Sequence, residues 1–302
     1  MIDIVGLGCV AVDDFLYTES PAVAGEKARV IGRRRQIGGL TALALQAAAR
    51  LGSTCSFEGL LGSHDEWAFV DEELAELGVT TSFAPRREDV HPVLSTIAVA
   101  PSGERTIFFD DSSPAGPDDT PDLSRVGECA VLLLDGHGVP GAIVAAEFAR
   151  NRGIPIVADC ETIQHPRSRE LLDLVDHLIL PAAFAMAVTG TSSPSDAAEG
   201  LGGPERTLAA VTDGANGLFH SAGGDPARHM PAFPVEAIDT TGCGDVFHGA
   251  YASAIARGVA PLDSLRFASA AAAVLSTRRG GPERLPNREE VDELLATAPL
   301  PL

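Results

Sequence analysis

Two glycines flank a cysteine and lead into a carboxylate in the run Ala237-Ile-Asp-Thr-Thr-Gly-Cys-Gly-Asp-Val-Phe-His-Gly-Ala250. An alanine-rich pattern follows as far as Gly258, so Gly242 and Gly244 stand where a loop turns into a helix. Glycine lets a backbone approach an anion closely, and the free amides of a first helical turn, with the helix dipole, hold a phosphate as charge builds on it. Asp245 then falls in that first turn, beside the phosphate and within reach of an attacking hydroxyl, where it suits a general base. Phosphoryl transfer asks mainly for positioning and charge stabilisation, so one carboxylate and a set of amide donors are a sufficient minimum. The same residues also fit an ordinary N-cap, with Asp and Gly present for turn geometry alone.

The elements that must position this segment alternate. Short β-branched or leucine-rich runs (Ile2 to Leu7, Cys55 to Leu60, Val131 to Asp135, Ile154 to Asp159, His177 to Leu180, Thr207 to Thr212) are separated by helical patterns such as Leu40 to Leu51 and Glu66 to Leu77. That order predicts an α/β fold with a central, mainly parallel sheet flanked by helices. Ser63 and Glu66 have capping-box spacing, and Gly52 and Gly78 sit where helix C-caps belong. Residues 14–36 and 92–110 break the alternation and are strand-like, with turn chemistry at Pro101-Ser102-Gly103. They read as a small β-sheet lid inserted into a core of residues 1–13, 37–91 and 111–302, or alternatively as edge strands of the main sheet. Exposed lid edges ask for cover, which a homodimer through the lid would supply.

Bulk properties narrow the partners. Asp plus Glu outnumber Lys plus Arg by 42 to 22, and a formal charge of -20 repels nucleic acid and anionic membrane surfaces. Five dispersed cysteines with no CxxC pair fit neither a disulfide framework nor a zinc site and point to a reducing, cytoplasmic setting. The opening MIDIVGLGCVAVDD reads as a first strand rather than a signal peptide.

The run from Asp239 to Gly249 resembles the C-terminal signature of the ribokinase-like (PfkB) carbohydrate kinases, DTxGAGD, with Cys243 in place of Ala. The resemblance implies a ribokinase-like fold and transfer of the γ-phosphoryl of ATP to a small carbohydrate, with Mg2+ and room for a monovalent cation. It implies Asp245 as base and Thr241, Gly242, Cys243 and Gly244 as the anion hole. Gly38 and Gly39, opening the helix to Leu51, match the pair that touches the sugar, and Asp13, placed at the close of the first strand, matches a sugar-binding carboxylate. Thr212, Gly214 and Gly217 look like the turn lining the nucleotide site, and Lys27 is placed to reach an anionic substituent from the lid. Cys243 reads as a small residue tolerated in the loop rather than a nucleophile.

Departures from the pattern bear on the substrate. Leu43 stands near where many members carry a sugar-binding Asn, which turns the expectation away from ribose and adenosine. Pro181 to Ala185 replaces an Asn-x-x-Glu motif, leaving magnesium to phosphate oxygens, water and Asp159 or Glu161. Within the family the chain is most similar to the sulfofructose kinase type, through Pro231-Ala-Phe, the form GDVFHGA, the Lys27 region, Arg266-Phe-Ala-Ser and Thr277 to Gly281. The lid and the Gly136-His137 loop, however, lack the Asn and Arg expected around a sulfonate, so ketohexose, sugar-phosphate, sugar-acid and sulfo-sugar acceptors all stay open. Gly6-x-Gly8-x-x-Ala11 spells a dinucleotide fingerprint, but no helix follows it and no acidic residue ends a second strand about 20 positions on, which speaks against a dehydrogenase. The lost Asn-x-x-Glu keeps a non-catalytic sugar- or nucleotide-binding regulator as the rival to an enzyme.

Overall fold

The computed structural model describes residues 2–297. The chain begins with β1 (Ile2–Leu7), β2 (Ala11–Thr18), β3 (Val30–Gly38), α1 (Leu40–Arg50), β4 (Cys55–Phe57) and β5 (Leu61–Gly62). Next come α2 (Ala68–Glu76), β6 (Val79–Thr80), β7 (Arg86–Arg87), β8 (Val93–Val99) and β9 (Arg105–Asp110). Strands and helices then alternate through β10 (Cys129–Asp135), α3 (Val139–Arg150), β11 (Ile156–Asp159), α4 (Ser168–Leu174) and β12 (His177–Pro181). The rest comprises α5 (Ala182–Thr189), α6 (Pro194–Leu201), β13 (Leu208–Thr212), β14 (Leu218–Ser221), β15 (Arg228–Met230), α7 (Cys243–Ala256), α8 (Pro261–Ser276) and α9 (Arg288–Thr297).

Nine strands form the main sheet in the order β15-β14-β13-β12-β11-β10-β1-β4-β6, parallel except at the β14 and β15 edge. Continuous apolar runs such as Val131 to Leu134 are what a strand covered on both faces requires. Alternate residues go to opposite faces: Val131 and Leu133 join the α1, α7 and α8 side, while Leu132 and Leu134 join the α3 to α6 side. Each such leucine contributes about 2 kcal/mol by leaving water, and Leu133→Asp would break both the layer and the sheet.

The chain leaves β1 toward β4 on one side and later fills the other side from β10 outward. The carboxyl ends of β1 and β10 therefore diverge, which is where open α/β sheets offer a crevice. Helices α1 and α7 lie side by side and run the same way. Leu43 reaches Gly242, the Ser53 and Ser253 hydroxyls bond at 2.7 Å, and a Cβ on Gly249 would lie 2.0 Å from Ala44 O. Both helix N-termini consequently end at the crevice.

A second sheet has the order β3-β2-β8-β9, with β8 and β9 joined by the expected hairpin, in which Gly103 takes φ 87°. Its first two strands run from Ala11 to Gly38, so Asp13 sits inside it, opposite Gln36 and Ser95, rather than at the close of β1. Three local readings need correction. The Ser63 amide bonds Arg87 O, and the chain enters α2 through a 3-10 turn at Asp65–Trp67 whose N-cap is His64, so no box starts at Ser63. The strand from Cys55 ends at Phe57, because the Glu58 amide turns back to Gly6 O and Leu60 bonds Gly116 O. Lys27 lies exposed in the connection between β2 and β3, not in a strand. Among the described residues no helix is long and apolar enough to cross a membrane.

Candidate active site

The crevice is tied together by a buried carboxylate that sequence reading passed over. Asp135 Oδ2 accepts from the Cys9 amide at 2.7 Å and from the Thr41 hydroxyl at 2.8 Å, while Oδ1 accepts from the His137 amide at 2.9 Å. Burial raises the Asp135 carboxyl, but His137 and these donors outweigh it and hold the carboxyl below its usual range. Burial alone would lower the His137 imidazole; its contact with Asp135 raises it instead. The ligand atoms of Cys9, Asp135 and His137 lie close enough for a metal. Both Asp135 oxygens are already occupied, however, and burial, reinforced by Asp135, keeps the Cys9 thiol protonated. This cluster pins β1, β10 and α1 to one another. Gly8 explains itself here, since a Cβ would lie 2.0 Å from Thr41 Oγ1 and 2.2 Å from Asp135 Oδ2.

Gly242 caps α7 in the left-handed region at φ 76°, and Asp245 follows in the first turn, half-buried. Of the four loop amides expected from sequence to form an anion hole, two are spent inside the loop. Thr241 N is spent on Asp239 Oδ1 at 2.9 Å and Cys243 N on Thr240 O at 3.2 Å, whereas those of Gly242 and Gly244 have no acceptor among the described residues. A Cβ on Gly244 would meet open space. The Cys243 thiol donates to Ala272 O at 3.5 Å, and burial pushes it up to about 11, so it is no thiolate nucleophile.

Beneath the loop, one helical turn beyond Asp245, lies buried His248. Its Nδ1 stands 2.9 Å from both Gly244 O and Asp159 Oδ2, and its Nε2 is 3.0 Å from Ile179 O. All three neighbours are acceptors, so both ring nitrogens must carry hydrogen and the ring is a cation. Burial works against that charge, but Asp159 and the two carbonyls overcome it and raise the imidazole to about 9. Asp245 is pushed well above the usual carboxylate range by burial first and then by Asp159 and Glu161, with His248 opposing.

The residues expected from sequence to face a sugar, Asp13, Gly38 and Gly39, meet at the start of α1. A Cβ on Gly38 would fall 2.3 Å from Asp13 Oδ2, so the carboxylate lies directly over this glycine. Gly39, at φ 92°, caps α1 against the backbone of Val10 and Ala11. Burial raises the Asp13 carboxyl, with a Ser95 hydrogen bond working against it. Neighbouring Asp14 is turned away into a two-bond pair with Arg35. The second sheet, read as lacking an arginine near the site, supplies Arg105, which donates to the Thr241 hydroxyl, and Arg34, which pairs with Glu283. Buried Arg284 donates to Thr241 O. Lys27 makes none of these contacts.

On the other side of the loop, Thr212, Gly214 and Gly217 line a cleft of about 450 Å³ together with Phe233, Cys243, Gly244 and Phe247. Its walls suit a flat apolar ring, and its floor is the start of α7. Burial first, and then Asp159, raises the Glu161 carboxyl, and Asp159 and Glu161 both crowd Asp245, a grouping of oxygen acceptors of the kind a hard divalent cation takes. Asp159 is engaged by His248, which leaves Glu161 the side chain able to reach such an ion.

Comparison with known proteins adds the following. The profile described as pfkB family carbohydrate kinase matches residues 1–288. Ribokinase of Haemophilus influenzae is 29% identical over 306 residues, 97% of this chain and 98% of that protein. Ribokinase of Bacillus subtilis is 28% identical, covering 98% and 100%. In structure, Arabidopsis thaliana ribokinase complexed with ribose and ATP superposes with a TM-score of 0.84 at 23% identity, over 98% of this chain and 99% of that one. Ribokinase of Thermotoga maritima gives 0.82 at 25% identity, over 98% and 100%.

Proposed function

The chain belongs to the pfkB family of carbohydrate kinases, and from that premise we propose that it moves the γ-phosphoryl of ATP to a hydroxyl of a small sugar, with Asp245 as general base. The observation that carries this reading is the placement of Asp245 in the first turn of α7, its Oδ2 3.7 Å from where a Cβ on Gly242 would lie, next to Cys243 and Gly244, which line a cleft of nucleotide size. Asp245 takes the proton of the acceptor hydroxyl as the new O–P bond forms and the bond from the γ-phosphorus to the bridging oxygen breaks, releasing ADP. Its raised pKa makes it a stronger base than an ordinary carboxylate, and His248 keeps it ionisable. The two amides receive charge that develops on the phosphoryl oxygens. When bound, Mg2+ supplies charge neutralisation on the phosphates, with Glu161 the residue to hold it.

For the acceptor, Asp13, Gly38 and Gly39 form the hydroxyl-binding side. Leu43 packs on Gly242 and offers no hydrogen bond, which favours a ketohexose, sugar phosphate, sugar acid or sulfo-sugar over ribose. Arg105 favours an anionic member of that set. The second sheet serves as a lid, with Arg105 its tie to the anion loop. Residues Ile107, Phe108 and Phe109 of edge strand β9 are exposed, and pairing with a second copy would cover them.

Two measurements test the assignment. Across a panel of neutral, phosphorylated, carboxylated and sulfonated sugars, at least one should stimulate ADP release well above basal hydrolysis. Asp245→Asn should cut kcat by about 10³-fold or more while ATP and sugar binding stay near wild type. Full turnover in that variant would remove Asp245 from the mechanism.

A further inference from the structure

Arg284 is 6% exposed, and its two nitrogens face different surroundings. Nη2 donates to the Thr241 carbonyl, and Nη1 stands 3.4 Å from Asp239 Oδ2. Asp239 in turn accepts from the Thr241 amide at 2.9 Å. The guanidinium thus grips both ends of the turn that delivers Gly242 and Gly244. On its inner side it lines a small cavity with Gln36, Gln46 and Leu43, and Nη1 has no hydrogen-bond partner among the described residues, so it meets Asp239 as an ion pair without a hydrogen bond. The carboxylate its charge pairs with, Asp239, belongs to the turn. A carbonyl and a carboxylate presented by one loop are the donor set a bare cation would take; here a tethered cation takes them.

The segment carrying Arg284 is braced from the second sheet. Arg34 pairs with Glu283 and lies so close to Gly281 that a Cβ there would be 2.2 Å from Nη2. Burial raises the Asp239 carboxyl, but the Thr241 hydrogen bonds and the charges of Arg284 and Arg105 bring it below its usual value, so it faces Arg284 as a carboxylate.

We infer that Arg284 is a positioning residue, the built-in counter-ion of the 239–244 loop, and that phosphoryl transfer here needs no monovalent metal ion at that loop. The inference rests on the anion-hole role proposed above for Gly242 and Gly244. It concerns the cation that shapes the loop, not the base.

The test is a turnover series in tetramethylammonium buffer with added Na+, K+ or Cs+. Wild type should stay within about twofold in every salt, because the counter-ion is covalent and a surface salt effect is small. Arg284→Ala should lose about 100-fold in kcat with little change in ATP KM, since the lost charge acts on the transition state. Added guanidinium or K+ at tens of millimolar should return about tenfold of that loss in the variant and nothing in wild type. Arg284→Lys, which keeps a charge and preserves packing, should remain within about tenfold of wild type and stay insensitive to K+. Tenfold stimulation of wild type by K+, or wild-type kcat in Arg284→Ala, overturns the inference. If Arg284→Ala does not fold, the wild-type and Arg284→Lys salt series decide it. An active Asp245→Asn would instead sink the base assignment and leave the counter-ion standing.

Discussion

His248→Asn is the perturbation with the most defined consequence. The wild-type imidazole is surrounded by three acceptors, is 4% exposed, and is raised from 6.5 to about 9. Each pKa unit corresponds to about 1.4 kcal/mol, so the charged ring favours the folded state by about 3 kcal/mol. The sign follows from the direction of the shift. Because the folded pKa exceeds the unfolded one, this stability is fully present below pH 6.5 and is lost as pH rises through about 9. His248→Asn lacks the titrating group and leaves Asp159 buried without a cation. Thermal midpoints of both proteins at intervals from pH 6 to 10 should therefore differ by roughly 5–10 °C at the acid end. The gap should close toward pH 10. A second readout is catalytic: His248 opposes the upward shift of Asp245, so the acid limb of the pH–kcat profile should move to higher pH in the variant. A stability gap that is constant across the pH range would refute the imidazolium, and with it the account of how Asp245 stays ionisable.

Three further outcomes follow from the same structure. Gly39→Ala places a Cβ 2.7 Å from Val10 Cα and 2.8 Å from the Ala11 amide at φ 92°, against backbone that does not yield, and should destabilise by about 3 kcal/mol or more, read as a lowered thermal midpoint. Gly244→Ala meets open space, so it should melt like wild type while losing about tenfold in kcat; equal activity would argue that no phosphate approaches this backbone. Phe108 and Phe109 are 65% and 66% exposed on edge strand β9, so light scattering should find a dimer for wild type and a monomer for the Phe108→Ser, Phe109→Ser double variant. A monomeric wild type would show that this edge is not the interface.

What was legible in the sequence was local. The 239–250 run announces a loop entering a helix because glycine, carboxylate and alanine pattern act within a few residues of each other, and the structure puts the helix N-terminus at Gly242. The parallel core was legible because strands covered on both faces need unbroken apolar runs. Asp13 was misplaced because only three residues separate β1 from β2, too few for periodicity to show that the chain had already changed sheets. The Gly6 and Gly8 pair imitated a pyrophosphate turn for a different physical reason. A Cβ on Gly6 would strike Leu45 at 2.6 Å, so the glycines are there to let α1 settle on the sheet. Lys27 is the cation the sequence suggests, whereas Arg34 and Arg105 come from strands whose facing no spacing rule reveals and Arg284 comes from a 3-10 turn at Pro282–Arg284.

The charges around Asp245 illustrate why the rest was not legible. Asp159 lies 89 positions before His248 in the chain, Arg105 lies 136 before Thr241, and Asp135 lies 126 after Cys9. The Asp159 and Asp135 pairs exist because the strand order reverses beside β1 and brings the carboxyl ends of β1, β10 and β11 under the two helix N-termini, and the Arg105 pair exists because β9 of the second sheet reaches the 239–244 loop. In a chain of net charge -20, a site with Asp159, Glu161, Asp239 and Asp245 would resist a nucleoside triphosphate unless cations were fixed among them. His248 under the loop, Arg284 behind it and Arg105 above it meet that requirement from three separate elements. The arrangement pairs Asp159 with His248 and Asp239 with Arg284 and leaves Asp245 and Glu161 without a bonded cation, so Asp245 is open to accept a proton and Glu161 to meet a metal ion.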